Sequence, residues 1–154
     1  LRVTELRWRC LPFDALHART LYALLQLRTE VFVMEQACIF QDMDGADAAC
    51  FHLLGEAADT GVLVASARLV PAGLKFTEAS IGRVVTRPDA RGGGLGHVLM
   101  REAVSALHGL WGVQPIRIGA QARLEAFYRQ HGFVPDGGIY IEDGIDHIEM
   151  TRAA

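Results

Sequence analysis

Apolar and polar positions along this chain change period several times, and each change marks an element. Leu6 to Leu11 reads as a short first strand, ended by Pro12. Leu16, Leu21, Leu24, Leu25, Val31 and Phe32, with Arg28, then fall near one face of a helix that Asp14 is placed to cap. From Glu35 to Asp47 the period disappears into an acidic loop, and loops of this length in a small domain usually carry function or move. Phe51 to Glu56 and Val62 to Val70 read as strands joined through the turn Asp59-Thr60-Gly61. After Pro71-Ala72-Gly73 another strand covers Ala79 to Thr86.

Leu95, Val98, Leu99, Ala103, Ala106, Leu107 and Leu110 trace one face of an amphipathic helix that frays by Trp111-Gly112. Ile116 to Ala120 is a strand, Arg123 to His131 a short helix ended by Gly132. Ile139 to Glu142 and His147 to Thr151 close the chain as a hairpin around Asp143-Gly144. The order β-α-β-β-β-α-β-α-β-β is an α/β layout, antiparallel first, with a crossover in the middle.

The most informative stretch joins the strand ending at Thr86 to the helix starting near Leu95. Gly92, Gly93, Gly94 and Gly96 let backbone N–H groups converge where a helix leaves its first donors unpaired and its dipole positive. Such a cradle suits a phosphate or pyrophosphate. From Arg83 to Glu102, four arginines against two carboxylates leave +2, while the whole chain is −3. A P-loop is excluded because Gly96 is followed by His97-Val98 rather than Lys-Ser/Thr, and the spacing is wrong for a dinucleotide fingerprint.

Composition narrows the rest. The length of 154 residues suits a single domain over residues 1–154, and hydrophobic residues make up 51%. No apolar run approaches the roughly 18 residues of a membrane span. Leu1-Arg2-Val3-Thr4-Glu5 lacks the layout of a signal peptide. Cys10, Cys38 and Cys50 are odd in number and widely spaced, which argues against a disulfide framework or a zinc site and for a reducing cytoplasm. No metal, nucleic acid or membrane is called for.

Arg91, Gly94 and Gly96 form Arg-x-x-Gly-x-Gly, which resembles the acetyl-CoA-binding motif of the GNAT (GCN5-related N-acetyltransferase) superfamily. Leu27 to Gln36 followed by Asp44-Gly45-x-Asp47 looks like the N-terminal signature of its ElaA-type branch. Gly119-Ala120-Gln121-Ala122, Phe127-Tyr128, Gly132-Phe133 and the stretch from Tyr140 to Ile148 match the second half. The resemblance covers about residues 8 to 151. It implies a mixed, mostly antiparallel sheet of six to seven strands, splayed in the middle and flanked by about four helices. It also implies a first helical region broken around Val33-Met34. Ile39 departs from the proline usual in the branch, and Gln121 stands where many of these enzymes have asparagine.

The resemblance further implies acetyl transfer from acetyl-CoA to a small-molecule or peptide amine, with a homodimer as a common assembly. Val84, Val85 and Thr86 would pair with the pantetheine, with Gln121 alongside. An N–H there, of Val85, would polarise the thioester carbonyl. Arg91, Gly92, Gly93, Gly94, Leu95 and Gly96 would hold the pyrophosphate. Tyr128 stands where the family protonates the leaving thiolate, although it also lies on an apolar helix face. For the general base, Glu35, Glu142, Asp143 and His147 stay open, with imidazole suited to the task. Glu35, Asp42, Asp44, Asp47, Glu142, Asp143 and Asp146 together favour a cationic amine. Two other functions remain available at this level: an acyl-homoserine-lactone-synthase-like enzyme, and a non-catalytic acyl-CoA-binding domain. His52, inside a strand, reads as a satisfied core histidine.

Overall fold

A computed structural model describes residues 5–154, so most of the stretch read for a signal peptide lies outside the described residues. In chain order the elements are β1 (Leu6–Pro12), α1 (Ala18–Arg28), β2 (Phe51–Ala57), β3 (Leu63–Val70) and β4 (Ser80–Thr86). They are followed by α2 (Leu95–Trp111), β5 (Ile116–Gln121), α3 (Glu125–Arg129), β6 (Phe133–Pro135), β7 (Tyr140–Glu142) and β8 (Ile145–Arg152). β1 to β4 form an antiparallel meander, and β5-β8-β6, with β7 also on β8, form a second sheet. This is the mixed, mostly antiparallel architecture expected. The described residues hold eight strands, one more than the pattern predicts, because β6, only three residues long, is too short to show a period.

Among the described residues there are three α-helices, because the segment after α1 is a continuation and not a separate helix. Thr29–Glu35 winds as a π-helix, with Gln36 N–H donating to Val31 O at 3.1 Å and Cys38 N–H to Val33 O at 3.0 Å. The geometry therefore changes at Thr29, and no break occurs at Val33-Met34. Asp14 does not cap α1 either. It lies in a 3-10 turn, Leu16 returns to extended backbone, and His17 takes the cap position.

β3 is buried along its whole length because both faces of the first sheet are covered. One face packs under α2 through Leu99, Met100, Ala103 and Leu107, with Leu53 and Ile81. Met100 thus belongs to the buried stripe and Leu110, expected on it, is exposed. The other face packs under α1 through Leu24, Leu27, Val31, Leu54 and Val85. Among the described residues one isolated bridge joins the backbones of the two sheets. Ala79 bridges Ile116 in parallel, and Arg117 N–H donates to Ala79 O at 3.0 Å. Beyond that bridge β4 and β5 pair with different partners and a cleft lies between them.

A bulge in β4 shapes one wall of the cleft. Ser66 faces Val85 but Arg68 faces Gly82, so two residues of β4 stand against Ala67, and Arg83 adopts φ of 48°. In a regular strand residues 81, 83 and 85 would share a face. The extra residue shifts the phase: Val84 joins the cluster of Ile81, Val85 turns to the cluster under α1, and Arg83 reaches Asp42.

That contact belongs to a cluster of three arginines and three aspartates that fastens the acidic loop. Arg28 Nε donates to Asp42 at 2.8 Å and its Nη1 to Asp47 at 2.9 Å. Arg68 binds Asp44 at 2.8 Å and Asp47 at 3.0 Å, and Arg83 binds Asp42 at 2.8 Å. Arg68 holds the Asp44 carboxyl well below the usual range. For Asp47 burial pushes the other way but the combined pull of Arg28 and Arg68 lowers it. Beside them His52 Nε2 bonds Asp47 O at 2.9 Å, and burial pushes its imidazole down from the ordinary value, as expected of a satisfied core histidine.

These shifts predict a two-stage loss of stability in acid. Unfolded histidine takes up a proton near pH 6.5 while native His52 stays neutral, so the unfolded chain binds more protons and stability falls as pH drops below about 6.5. Below about pH 4 the unfolded counterparts of Asp44 and Asp47 protonate first, and stability falls again. Urea midpoints measured from pH 8 to 3 check this. His52→Gln, which keeps a donor for Asp47 O, removes part of the first stage; an unchanged slope in that variant contradicts the assignment.

Candidate active site

The cleft between β4 and β5 is a cavity of about 390 Å³. One half is built by the C-terminal end of β4, the start of α2 and α3. Val84, Val85 and Thr86 line it, with Gly96, Phe127 and Tyr128 opposite. The glycine loop lies beside this half. Arg91 and Gly96 line the cavity, and Gly92, Gly93, Gly94 and Leu95 sit between them just beyond its edge. Gly92 and Gly94 have φ of 101° and 76°, which only glycine adopts cheaply, and Gly94 is the cap residue of α2.

Among the described residues the N–H groups of Gly92, Gly93, Gly94, Leu95 and Gly96 have no hydrogen-bond acceptor, whereas His97 and Val98 both bond Gly94 O. Five free donors at the N-terminus of a 17-residue helix fit an anionic diphosphate. A Cβ on Gly93 would meet nothing within 4 Å, so the cradle is open. The Arg91 side chain is occupied within the protein: it binds Glu35 at 3.0 Å and donates to Thr86 O at 3.0 Å. Glu35 lines the cavity, and its carboxylate is paired with Arg91. Gln121 lines the same half and donates to Gln36 Oε1 at 3.2 Å, joining β5 to the π-helical segment.

Tyr128 is 7% exposed, and its hydroxyl has no hydrogen-bond partner among the described residues. Burial pushes the phenol up to about 12, with Arg123 opposing weakly. It holds its proton at neutral pH and has nothing in the protein to give it to.

The other half is built by the acidic loop and the closing hairpin. Asp143 and Gly144, with φ of 50° and 75°, form the two-residue turn that joins β7 to β8. Cys38 Sγ donates to Asp143 O at 3.1 Å and so fastens the loop to the turn across 105 residues of sequence. His147 stands opposite Gln121 in the β5–β8 register and lines the cavity. Its Nδ1 lies 2.7 Å from Ile145 O, which fixes the proton there and leaves Nε2 with a lone pair. Glu142 is 3.5 Å from that Nε2.

The expected acidic wall is mostly absent. Asp42, Asp44 and Asp47 are neutralised by Arg28, Arg68 and Arg83, and Glu35 by Arg91. Of the seven carboxylates expected to attract a cation, only Glu142 and Asp143 line the cavity without an arginine partner. The bulge at Arg83, the Cys38 contact and Lys75 on the cavity wall had not been singled out. Only Lys75 carried a signal in the sequence, as the single lysine of the chain. No group of three potential ligands for a metal occurs among the described residues, and none of their helices is long and apolar enough to cross a membrane.

Comparison with known proteins adds to this geometry. The acetyltransferase (GNAT) domain family matches residues 32–154. The chain is 41% identical over 149 residues to Protein ElaA of Escherichia coli (strain K12), covering 96% of each. A crystal structure of an acyl-CoA N-acyltransferase from Pseudomonas aeruginosa is similar at 45% identity and TM-score 0.87, covering 96% of this chain and 99% of that one. The crystal structure of Escherichia coli ElaA is similar at 40% identity and the same TM-score and coverage.

Proposed function

Since this chain belongs to the GNAT acetyltransferase family, we propose that it is an acetyl-CoA-dependent N-acetyltransferase acting on the primary amine of a small molecule or peptide. One observation carries the reading. A single cavity takes in the backbone of β4, the first turn of α2 beside its free N–H groups, a buried phenol without a partner, and the hairpin histidine.

In this reading the unpaired N–H groups from Gly92 to Gly96 bind the pyrophosphate, and β4 from Val84 to Thr86 aligns the pantetheine. A β4 N–H that faces the cleft polarises the thioester carbonyl as charge develops on its oxygen; the Val85 N–H, expected in that place, points to Ser66 in the β3 ladder. An ammonium with pKa about 10.4 must first lose a proton, which His147 Nε2 accepts and Glu142 stabilises. The amine nitrogen then attacks the carbonyl carbon, the C–S bond breaks, the thiolate takes the Tyr128 proton, and the surplus proton on the acylated nitrogen restores the Tyr128 phenol. Free Cys10, Cys38 and Cys50 suit a reducing cytoplasm, where we propose the reaction takes place.

A thermal-shift titration tests the donor site. At about 100 times its dissociation constant, acetyl-CoA adds roughly 2.7 kcal/mol, a rise of several degrees, while NAD and ATP produce less. Gly93 has neither a left-handed φ nor a neighbour within 4 Å of its Cβ position. Gly93→Val therefore keeps the ligand-free transition of the parent and loses most of the acetyl-CoA rise. An equal rise in the variant, or with all three ligands, contradicts the cradle.

A further inference from the structure

We propose that the acceptor carries an anionic group besides its amine, and that Lys75 and Tyr140 hold that group. The inference rests on the N-acyltransfer reading and narrows its substrate class. Lys75 is the only lysine among 154 residues and lies on the β3–β4 connection. It lines the cavity and makes no salt bridge among the described residues; its ammonium lies 5.5 Å from the Phe76 ring centroid. A Cβ built on Gly119 would stand 2.9 Å from Tyr140 Oη and 4.0 Å from Lys75 Nζ. The Tyr140 hydroxyl thus takes the room that a side chain at residue 119 would fill, and the Lys75 ammonium comes to the same place.

One more donor belongs to the same wall. Ser80 is buried, lines the cavity and has no hydrogen-bond partner for its hydroxyl among the described residues. The Tyr140 hydroxyl likewise has no partner among the described residues, and burial, with Glu142 and Glu149, keeps its proton in place. Three donors and no matching acceptor describe half of a binding site. A carboxylate or phosphate supplies the missing oxygens, since each accepts several hydrogen bonds.

The amine end lies next to it. Tyr140 and His147 face each other across β7 and β8, with ring centroids 5.8 Å apart, and Glu142 is beside His147. One wall donates to an anion and its neighbour accepts from an amine at a separation suited to one compact molecule. The class is therefore an amino acid or an aminoalkyl phosphate rather than a polyamine. Neutralisation of Asp42, Asp44 and Asp47 points the same way, because a polycation would need those charges free.

The single lysine makes the test direct. Labelling with acetyl-N-hydroxysuccinimide is followed at Lys75 by mass spectrometry, with N-acetylglycine, inorganic phosphate or uncharged N-methylacetamide present at constant ionic strength. One of the two anions slows labelling severalfold, N-methylacetamide does not, and Tyr140→Phe weakens the protection. Which anion protects separates carboxylate from phosphate acceptors. In turnover, glycine is compared with glycinamide and 3-aminopropyl phosphate with 3-aminopropanol. Lys75→Gln, a change at an exposed position, lowers the preference for the charged member in kcat/KM by about tenfold, mainly through KM.

Protection by neither anion, equal protection by the neutral probe, or an unchanged preference in Lys75→Gln overturns the proposal. Protection without acyl transfer to any amine upholds the anion site and overturns the acetyltransferase reading. Transfer that is indifferent to charge and shows no protection does the reverse.

Discussion

Replacing Tyr128 with phenylalanine lowers kcat for acetyl transfer by about 100-fold or more, the scale of a positioned general acid, and leaves acetyl-CoA affinity unchanged. The substitution removes one oxygen that has no protein partner, so no hydrogen bond within the fold is lost. The ring contacts with Phe127 and Phe133, at centroid distances of 5.1 and 6.0 Å, remain. Stability then stays close to the parent, and a fall in rate reports chemistry. Thiol release under saturating acetyl-CoA gives kcat, and the thermal-shift titration gives affinity. A variant with parental kcat means that Tyr128 is simply part of the core. A parent with no turnover on any amine while acetyl-CoA binds leaves a non-catalytic acyl-CoA module as the reading.

Replacing Arg28 with methionine destabilises the fold by about 3–5 kcal/mol, because it strands buried carboxylates that now have partners. The Arg28 side chain is 1% exposed and that of Asp42 5%, so water does not replace the lost ion pairs. At 2–4 °C per kcal/mol the transition falls by roughly 10 °C. Arg129→Met is the control: its pair with Glu125 is on the surface, with side-chain exposures of 51% and 37%, and is expected to cost less than about 1 kcal/mol. Urea unfolding of both variants measures the difference. An Arg28 variant no weaker than the Arg129 control shows that the cluster relaxes or admits water. Loss of the cluster also loosens the acidic loop, so acceptor KM rises with it.

The same arginine cluster marks where reading the chain as a string ran out. Asp42, Asp44 and Asp47 look like an acidic surface when only neighbours in sequence are considered. Their partners stand 14 to 41 residues away on α1, β3 and β4. Glu35 is similar, since Arg91 lies 56 residues on. A residue's charge is visible in the sequence; whether that charge is cancelled depends on contacts no local pattern encodes. The β4 bulge was hidden for a related reason. Arg83 does not announce a positive φ as a glycine would, and only pairing with β3 and the reach to Asp42 hold it there.

Local signals, by contrast, were sufficient where the physics is local. The hydrophobic period of α2, the helix stop at Gly112, the free donors of the glycine loop and the Asp143-Gly144 turn all follow from residues within a few positions of one another. Those determine most of the order of elements and leave the donors of the glycine loop free. The π-helical winding after Arg28, the three-residue β6 and the meeting of the sheets at Ala79 and Ile116 depend on packing between distant segments. So does the neighbourhood of Lys75, Tyr140 and Gly119, where two donors from separate segments meet over a glycine. Periodicity and turn chemistry are properties of the chain, whereas a pocket is defined by which surfaces the fold leaves facing each other, and that is decided only in three dimensions.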